Sequence, residues 1–273
     1  MISERFTVEL INVQASIQRV EEMGSKSVKD WFFASRWRKA GLVVLVVIIV
    51  IVSSFLVWAL TPRGPMEEAL EALESDDEVQ VSSDERYTFR PVEQEAEVGF
   101  IIYPGARVDP RSYAPFAREI ARDGFFVTIE PMRLNLAVFS TDAALSVMEE
   151  YDEIERWVIG GHSLGGAMAA RFASREEVDG LVLWASYTPD DLSDSDLPAI
   201  SIYAELDGLT TVEDVEERKD MMPQETRYVM IEGGNHAQFG WYGSQRGDDE
   251  AQISREEQQA IVVETTVEFL TEV

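Results

Sequence analysis

The chain of 273 residues has no cysteine and only two histidines, His162 and His236. One of them lies in Gly161-His162-Ser163-Leu164-Gly165, between an apolar run at 156–160 and a helical pattern at 164–174. Gly-x-Ser-x-Gly between a strand and a helix is a nucleophile elbow. The turn is tight enough to strain the serine backbone and lift its hydroxyl above the sheet edge. The helix that follows brings free N–H groups and a positive dipole end to the place where negative charge would develop. A glycine-rich turn or a phosphate cradle is the competing reading. No Gly-Lys-Ser/Thr follows, and the Gly-x-Gly-x-x-Gly spacing is absent.

A serine nucleophile needs a base. His162 is a poor one, because neighbouring side chains leave the elbow in different directions; packing under the turn suits it better. His236 remains, in the loop Glu232-Gly233-Gly234-Asn235-His236 just past a strand-like run at 227–231. The base needs an orienting carboxylate. Asp207, ahead of Gly208 and past the run 200–203, gives the chain order Ser163, Asp207, His236. Glu205 and Asp214 are its rivals. Two N–H groups would hold an oxyanion: that of Leu164, after the nucleophile, and that of Ala106, in the loop Tyr103-Pro104-Gly105-Ala106-Arg107.

The elements that must position these groups are legible as alternation. Apolar runs at 100–103, 125–129, 156–160, 181–184, 200–203 and 227–231 read as buried strands. Helical patterns fill 111–122, 141–150, 164–174, 211–221 and 254–271. Ser254 with Glu257 forms a capping box at the start of the last one. Such alternation predicts an α/β fold, a mostly parallel sheet covered by helices on both faces.

Four segments together resemble the α/β-hydrolase superfamily, in a small esterase-like branch of hydrolase fold-5 type. They are Ile102-Tyr103-Pro104-Gly105 with Asp109-Pro110-Arg111, Gly161 to Gly166, Asp207-Gly208, and Glu232 to Gly240. The resemblance covers about residues 87–273. It implies a Ser–His–Asp triad, hydrolysis of an ester or related acyl bond, a small-molecule acyl substrate and no cofactor or metal. An acyl transferase on the same fold and a non-catalytic tethered binding module are the alternatives. Lids in this superfamily usually follow the strand after the elbow helix. Only residues 185–199 are available there, so an open site is expected, favouring small or exposed acyl groups. The loop 237–252, with Phe239, Trp241 and Tyr242, either forms one pocket wall or packs locally on the surface.

Residues 41–60 carry no charge and are long enough to span a hydrocarbon core of roughly 30 Å. A cleaved signal peptide has a shorter apolar run and a small-residue cleavage site; Thr61-Pro62-Arg63 follows here, which favours an uncleaved anchor. Trp31, Trp37 and Trp58 suit the interfaces. Lys26, Lys29, Arg36, Arg38 and Lys39 precede the run, so the positive-inside rule puts residues 1–40 in the cytoplasm and the remainder outside. Met23 is an alternative start. The acid-rich stretch 61–86 reads as a solvated stalk, and 87–273 as the hydrolase domain.

The formal net charge is −28. Residues 61–273 alone carry 16 basic and 46 acidic side chains, a net of −30, and Lys219 is the one lysine among them. Such a surface repels phosphate and excludes nucleic acid as a partner. The acid-rich, lysine-poor balance resembles proteins of salt-loving organisms. Self-repulsion of this size is screened within about 3 Å at molar salt. Thermal midpoint and catalytic rate should therefore both rise between dilute buffer and molar sodium chloride. Undiminished activity after dialysis against dilute buffer would contradict that expectation.

Overall fold

The computed structural model describes residues 39–273 continuously, with Gln14, Gln18, Arg36 and Trp37 before them. Most of segment 1–40, with Lys26, Lys29, Arg38 and Trp31, lies outside the described residues. Two compact units are present, Met1–Val57 and Trp58–Val273. Helix α1 (Lys39–Ala59), which lies in the first unit up to Val57, has a mean hydropathy of 3.2, and its apolar side chains are exposed from Ala40 to Trp58. It is long and apolar enough to cross a membrane.

The second unit is built on one eight-stranded sheet. Its strands are β1 (Val79–Ser82), β2 (Tyr87–Pro91), β3 (Val98–Tyr103), β4 (Phe126–Ile129), β5 (Arg156–His162), β6 (Gly180–Trp184), β7 (Ala199–Ala204) and β8 (Arg227–Ile231). Their spatial order is β1-β2-β4-β3-β5-β6-β7-β8. From β4 to β8 across the sheet every pairing is parallel; β2 is antiparallel to both β1 and β4.

Both faces of the inner parallel strands β3 to β7 are buried, which is why they read as continuous apolar runs; β8, at the edge, buries only Ile231. Period-two alternation sends Phe100, Ile102, Val158, Val182, Trp184, Ile200 and Ile202 to one core. There they meet Phe116 and Ile120 of α3 (Ala114–Arg122), and Val262 and Phe269 of α7 (Arg255–Glu272). Ile101, Tyr103, Trp157, Ile159, Leu181 and Leu183 face the other core. That side is closed by Val147 of α4 (Ala143–Glu150) and by Met168 and Phe172 of α5 (Leu164–Ala173). The capping box on α7 is present, with the Ser254 hydroxyl accepting from Glu257 N–H and the Glu257 carboxylate from Ser254 N–H. A shorter helix, α6 (Val212–Glu217), is capped in the same way by Thr211 and Asp214.

From the central strand β3 the chain crosses to β4 on one side, whereas β5 leads to β6 on the other. The loops after β3 and β5 therefore diverge and leave a crevice at the carboxyl edge of the sheet. That is where open α/β sheets place ligands.

The stretch 61–86 departs from the solvated stalk expected of it. It contributes α2 (Glu67–Glu71) and edge strand β1 to the unit. Ala69 and Val79 are fully buried and Ala72 nearly so, in the same core as α3 and α7. The acids of α2 lie on its outer side. Asp76 is not a free charge either: its Oδ1 accepts from Glu78 and Val79 N–H, and its Oδ2 meets the Arg118 guanidinium at 2.5 Å. Placing an acid at position 69 buries an unpaired charge. Ala69→Glu should cost about 3 kcal/mol or more, and Glu71→Lys, on the exposed side, less than about 0.5. Denaturant titration of the two variants checks this; equal midpoints would return the segment to the role of a stalk.

Candidate active site

Ser163 sits between β5 and α5 at φ 54°, ψ −124°, a region that side-chain-bearing residues rarely adopt. Three contacts hold it there. Its N–H donates to the Trp184 carbonyl at 2.9 Å, its carbonyl accepts from Ala167 N–H at 3.1 Å, and the same carbonyl accepts from the Ser186 hydroxyl at 2.7 Å. The flanking glycines are required by a neighbour rather than by the serine. A Cβ on Gly161 or on Gly165 would overlap the Tyr103 carbonyl at the end of β3, and one on Gly165 would also meet the Pro104 carbonyl. The β3 loop thus lies directly on the elbow.

That loop carries Gly105 and Ala106. The Gly105 N–H donates to the Tyr113 hydroxyl at 2.9 Å, and the hydroxyl lies 2.9 Å from His162 Nδ1. The hydroxyl already accepts from Gly105, so its own proton points to Nδ1, and the His162 proton sits on Nε2. A Cβ on Gly105 would stand 2.7 Å from that Nδ1. The next N–H, of Ala106, and the Leu164 N–H that opens α5 donate to no protein group among the described residues. Both residues are half-exposed, as is Ser163.

His236 and Asp207 come together. The loop after β8 brings His236 Nδ1 to 2.7 Å from Asp207 Oδ2, which follows β7, and both side chains are buried. The carboxylate can only accept, so Nδ1 carries the proton and Nε2 is left as the acceptor. The other Asp207 oxygen accepts from Leu209 N–H at 2.8 Å and Thr210 N–H at 2.7 Å. Its rivals are committed elsewhere: Glu205 accepts from Gly233 N–H, and Asp214 caps α6. The His236 ring packs 4.5 Å, centroid to centroid, from His162, the residue before Ser163.

His162 is fully enclosed, by Tyr113, His236, Tyr242 and a stacked Phe239. Of the two roles open to Phe239, Trp241 and Tyr242, pocket wall or local packing, they take the second: all three are buried core side chains. Burial drives the His162 pKa well below its ordinary value, and the charge on His236 acts in the same direction; only the nearby His236 carbonyl opposes them.

Three supporting residues had no sequence signal. Asp248 receives four backbone N–H groups, from Gly208, His236 and Asp249 on Oδ1 and from Ala237 on Oδ2 at 2.8 Å. It ties the Asp207 turn to the His236 turn. Gln258, fully buried on α7, accepts from Asn235 N–H and donates to the Asn235 carbonyl. Ser186 braces the elbow as described. Only the three-dimensional meeting of loops separates Asp248 from the other acids. No group of metal-ligating side chains is found among the described residues.

Strand order, strained serine and buried His–Asp pair together define the class of α/β enzymes that open such a crevice to a small-molecule substrate. The chain belongs to the alpha/beta hydrolase family, whose model matches residues 99–260, from β3 into α7. No curated protein matches it. Family membership supports a hydrolase-type function.

The neutral, enclosed His162 has a consequence for stability. Below about pH 6.5 the unfolded histidine binds a proton that the native ring refuses. Stability from this residue is therefore complete above that pH and falls below it, by up to about 1.4 kcal/mol per pH unit. Urea titrations between pH 5 and 7 should show that slope reduced in His162→Gln relative to wild type. Equal slopes would mean that the ring protonates in place.

Proposed function

We propose that the protein is a membrane-anchored serine hydrolase that cleaves an ester or related acyl bond through Ser163, His236 and Asp207. The observation that carries this reading is the convergence of the strained Ser163 turn with the buried 2.7 Å His236–Asp207 pair at one sheet edge.

In this mechanism His236 Nε2 takes the Ser163 hydroxyl proton as Oγ attacks the acyl carbonyl. Asp207 holds the ring by its Nδ1–H and stabilises the imidazolium. The oxyanion of the tetrahedral intermediate lies between the Leu164 and Ala106 N–H groups. As the C–O bond to the leaving group breaks, His236 returns the proton and an alcohol departs. Water then attacks the acyl-serine, again losing its proton to His236, and the carboxylic acid is released with Ser163 restored. No cofactor enters this scheme. The connection between β6 and β7 is short and has no helix of its own, which supports an open, lidless site.

Helix α1 is the anchor in this reading. The basic flank that precedes it argues for a cytoplasmic N-terminus and an extracytoplasmic hydrolase domain.

A membrane-impermeant serine-directed phosphonate applied to intact cells should label the wild-type chain and leave Ser163→Ala unlabelled. Labelling that needs cell lysis would reverse the orientation, and equal labelling of both chains would remove Ser163 as nucleophile. On a soluble ester, Ser163→Ala should lose at least about 10⁴-fold in kcat/KM, and Asp207→Asn about 10³- to 10⁴-fold.

A further inference from the structure

The residues that leave α1 are fastened to the loops that frame Ser163. Trp58 and Ala59, its last two residues, already belong to the Trp58–Val273 unit. Arg107, next to Ala106, donates from Nε to the Trp58 carbonyl and from Nη2 to the Thr61 carbonyl, each at 2.6 Å. Its guanidinium lies 4.5 Å above the Trp58 ring. Arg63 N–H donates to the Arg107 carbonyl at 2.7 Å, and its carbonyl accepts from Asp109 N–H at 2.9 Å, a strand-like bridge along Val108. On the other side, Asn135 Nδ2 donates to the Ala59 carbonyl at 2.9 Å, while the Asn135 carbonyl accepts from Arg107 N–H.

These fastenings leave no free stalk. Four residues, Leu60 to Arg63, separate the end of the helix from the Arg107–Asp109 bridge; fully extended they reach at most about 14 Å. A free stalk of residues 61–86 would have reached several times as far. The loop after β4, which includes Asn135, continues into the 3-10 turn Ala137–Phe139, and that turn packs against α5 beside the elbow. Val138 and Phe139 on it are 47% and 48% exposed, and Leu60 is 59% exposed. In a unit whose other large apolar side chains are mostly buried, Leu60 directly follows the helix, and Val138 and Phe139 come three and four residues after Asn135, which bonds the Ala59 carbonyl. Arg63, Arg107 and the exposed Arg133 lie on the same segments, although the unit as a whole is strongly acidic.

We infer that the site works at the bilayer surface and takes amphiphilic, lipid-type acyl esters directly from the membrane that holds α1. Val138, Phe139 and Leu60 enter the interface. The exposed Arg133 faces headgroup phosphates, and the open crevice receives an ester whose acyl chain stays largely in the bilayer. The chemistry is the acyl transfer to Ser163 and then to water described above, so this inference rests on the serine-hydrolase reading.

The test reconstitutes the full chain in phosphatidylcholine vesicles. It compares hydrolysis of a vesicle-embedded long-chain ester with that of a water-soluble short-chain ester. Two variants are used: Phe139→Asp, and a 20-residue Gly/Ser insertion between Leu60 and Thr61. Each should lower the vesicle-to-soluble rate ratio about tenfold. An unchanged ratio in both would overturn the inference while leaving the serine-hydrolase reading intact. Loss of neither activity in Ser163→Ala would instead overturn that underlying reading. Because the readout is a ratio within one preparation, a loss of folded enzyme cancels.

Discussion

Much of the site depends on one close approach, that of the Tyr103 and Pro104 carbonyls to the backbone of the elbow. It leaves no room for a side chain at Gly161 or Gly165. The β3 loop rests on the first turn of α5, and the Ala106 and Leu164 N–H groups on either side of that contact donate to no protein group among the described residues. A single buried polar chain sets the height of that loop, from Gly105 through the Tyr113 hydroxyl to His162. His162 is therefore a spacer between the elbow and the opposite loop. Burial keeps its ring neutral, as the hydrogen bond from Tyr113 requires. Burial also pushes the Tyr113 hydroxyl well above its usual pKa, so it remains a donor under all ordinary conditions.

The acidic composition has two quite different uses. Most of the 51 acids keep their charge in water. A few instead gather backbone donors: buried Asp207 two N–H groups and a histidine, half-buried Asp248 four N–H groups, and exposed Asp76 two together with Arg118. Hydrogen bonds to a charged acceptor are stronger than neutral ones, so each of these carboxylates cross-links loops that have little apolar surface of their own. In a protein without cysteine this is how the turns after β7 and β8 are held in register. Gly233, at φ 67°, lets the β8 turn curl back so that its N–H reaches Glu205.

Six of the eight strands were legible in the sequence: β3 to β7 because both their faces are buried, which makes the apolar run unbroken, and β8 through the strand-favouring run Arg227–Ile231, of which only Ile231 is buried. The two that were not, β1 and β2, form the antiparallel edge. In β1 only Val79 and Val81 turn inward, over four residues set among acids, too few for a period-two pattern to emerge. Helix α2 has only five residues, little more than one turn, and the inward residues at its end, Ala69 and Ala72, are alanines, which carry little hydropathic signal. The site followed the same logic. Ser163 and His236 stood out because their types are scarce or their neighbours constrained. Asp207 was distinguished from Glu205 and Asp214 only by position, and the hydrogen bonds of all three now separate their parts. Asp248, Ser186 and Gln258 left no trace, because each acts through backbone groups distant in sequence. The aromatic residues Phe239, Trp241 and Tyr242 could not be assigned to a pocket wall or to packing for a related reason. A loop rich in Phe, Trp and Tyr looks the same whether it faces a substrate or the core under the base.

The way the chain leaves α1 bears on how an open site can be effective. A lidless crevice buries little of a substrate, so little binding energy is available to hold it. On the proposed reading, a site held near the membrane changes that balance, because substrate and site are then confined to the same thin layer. Confinement raises the effective concentration without any new contact, but only if the tether keeps the reactive groups within the layer. The bonds from Arg107 and Asn135 to the carbonyls of Trp58, Ala59 and Thr61 supply that constraint. They also attach it to the loop that carries the Ala106 N–H, next to Arg107. The residues that follow α1 and the loop that carries the Ala106 N–H are in this sense one element, and on the proposed reading an open site gains most from that join.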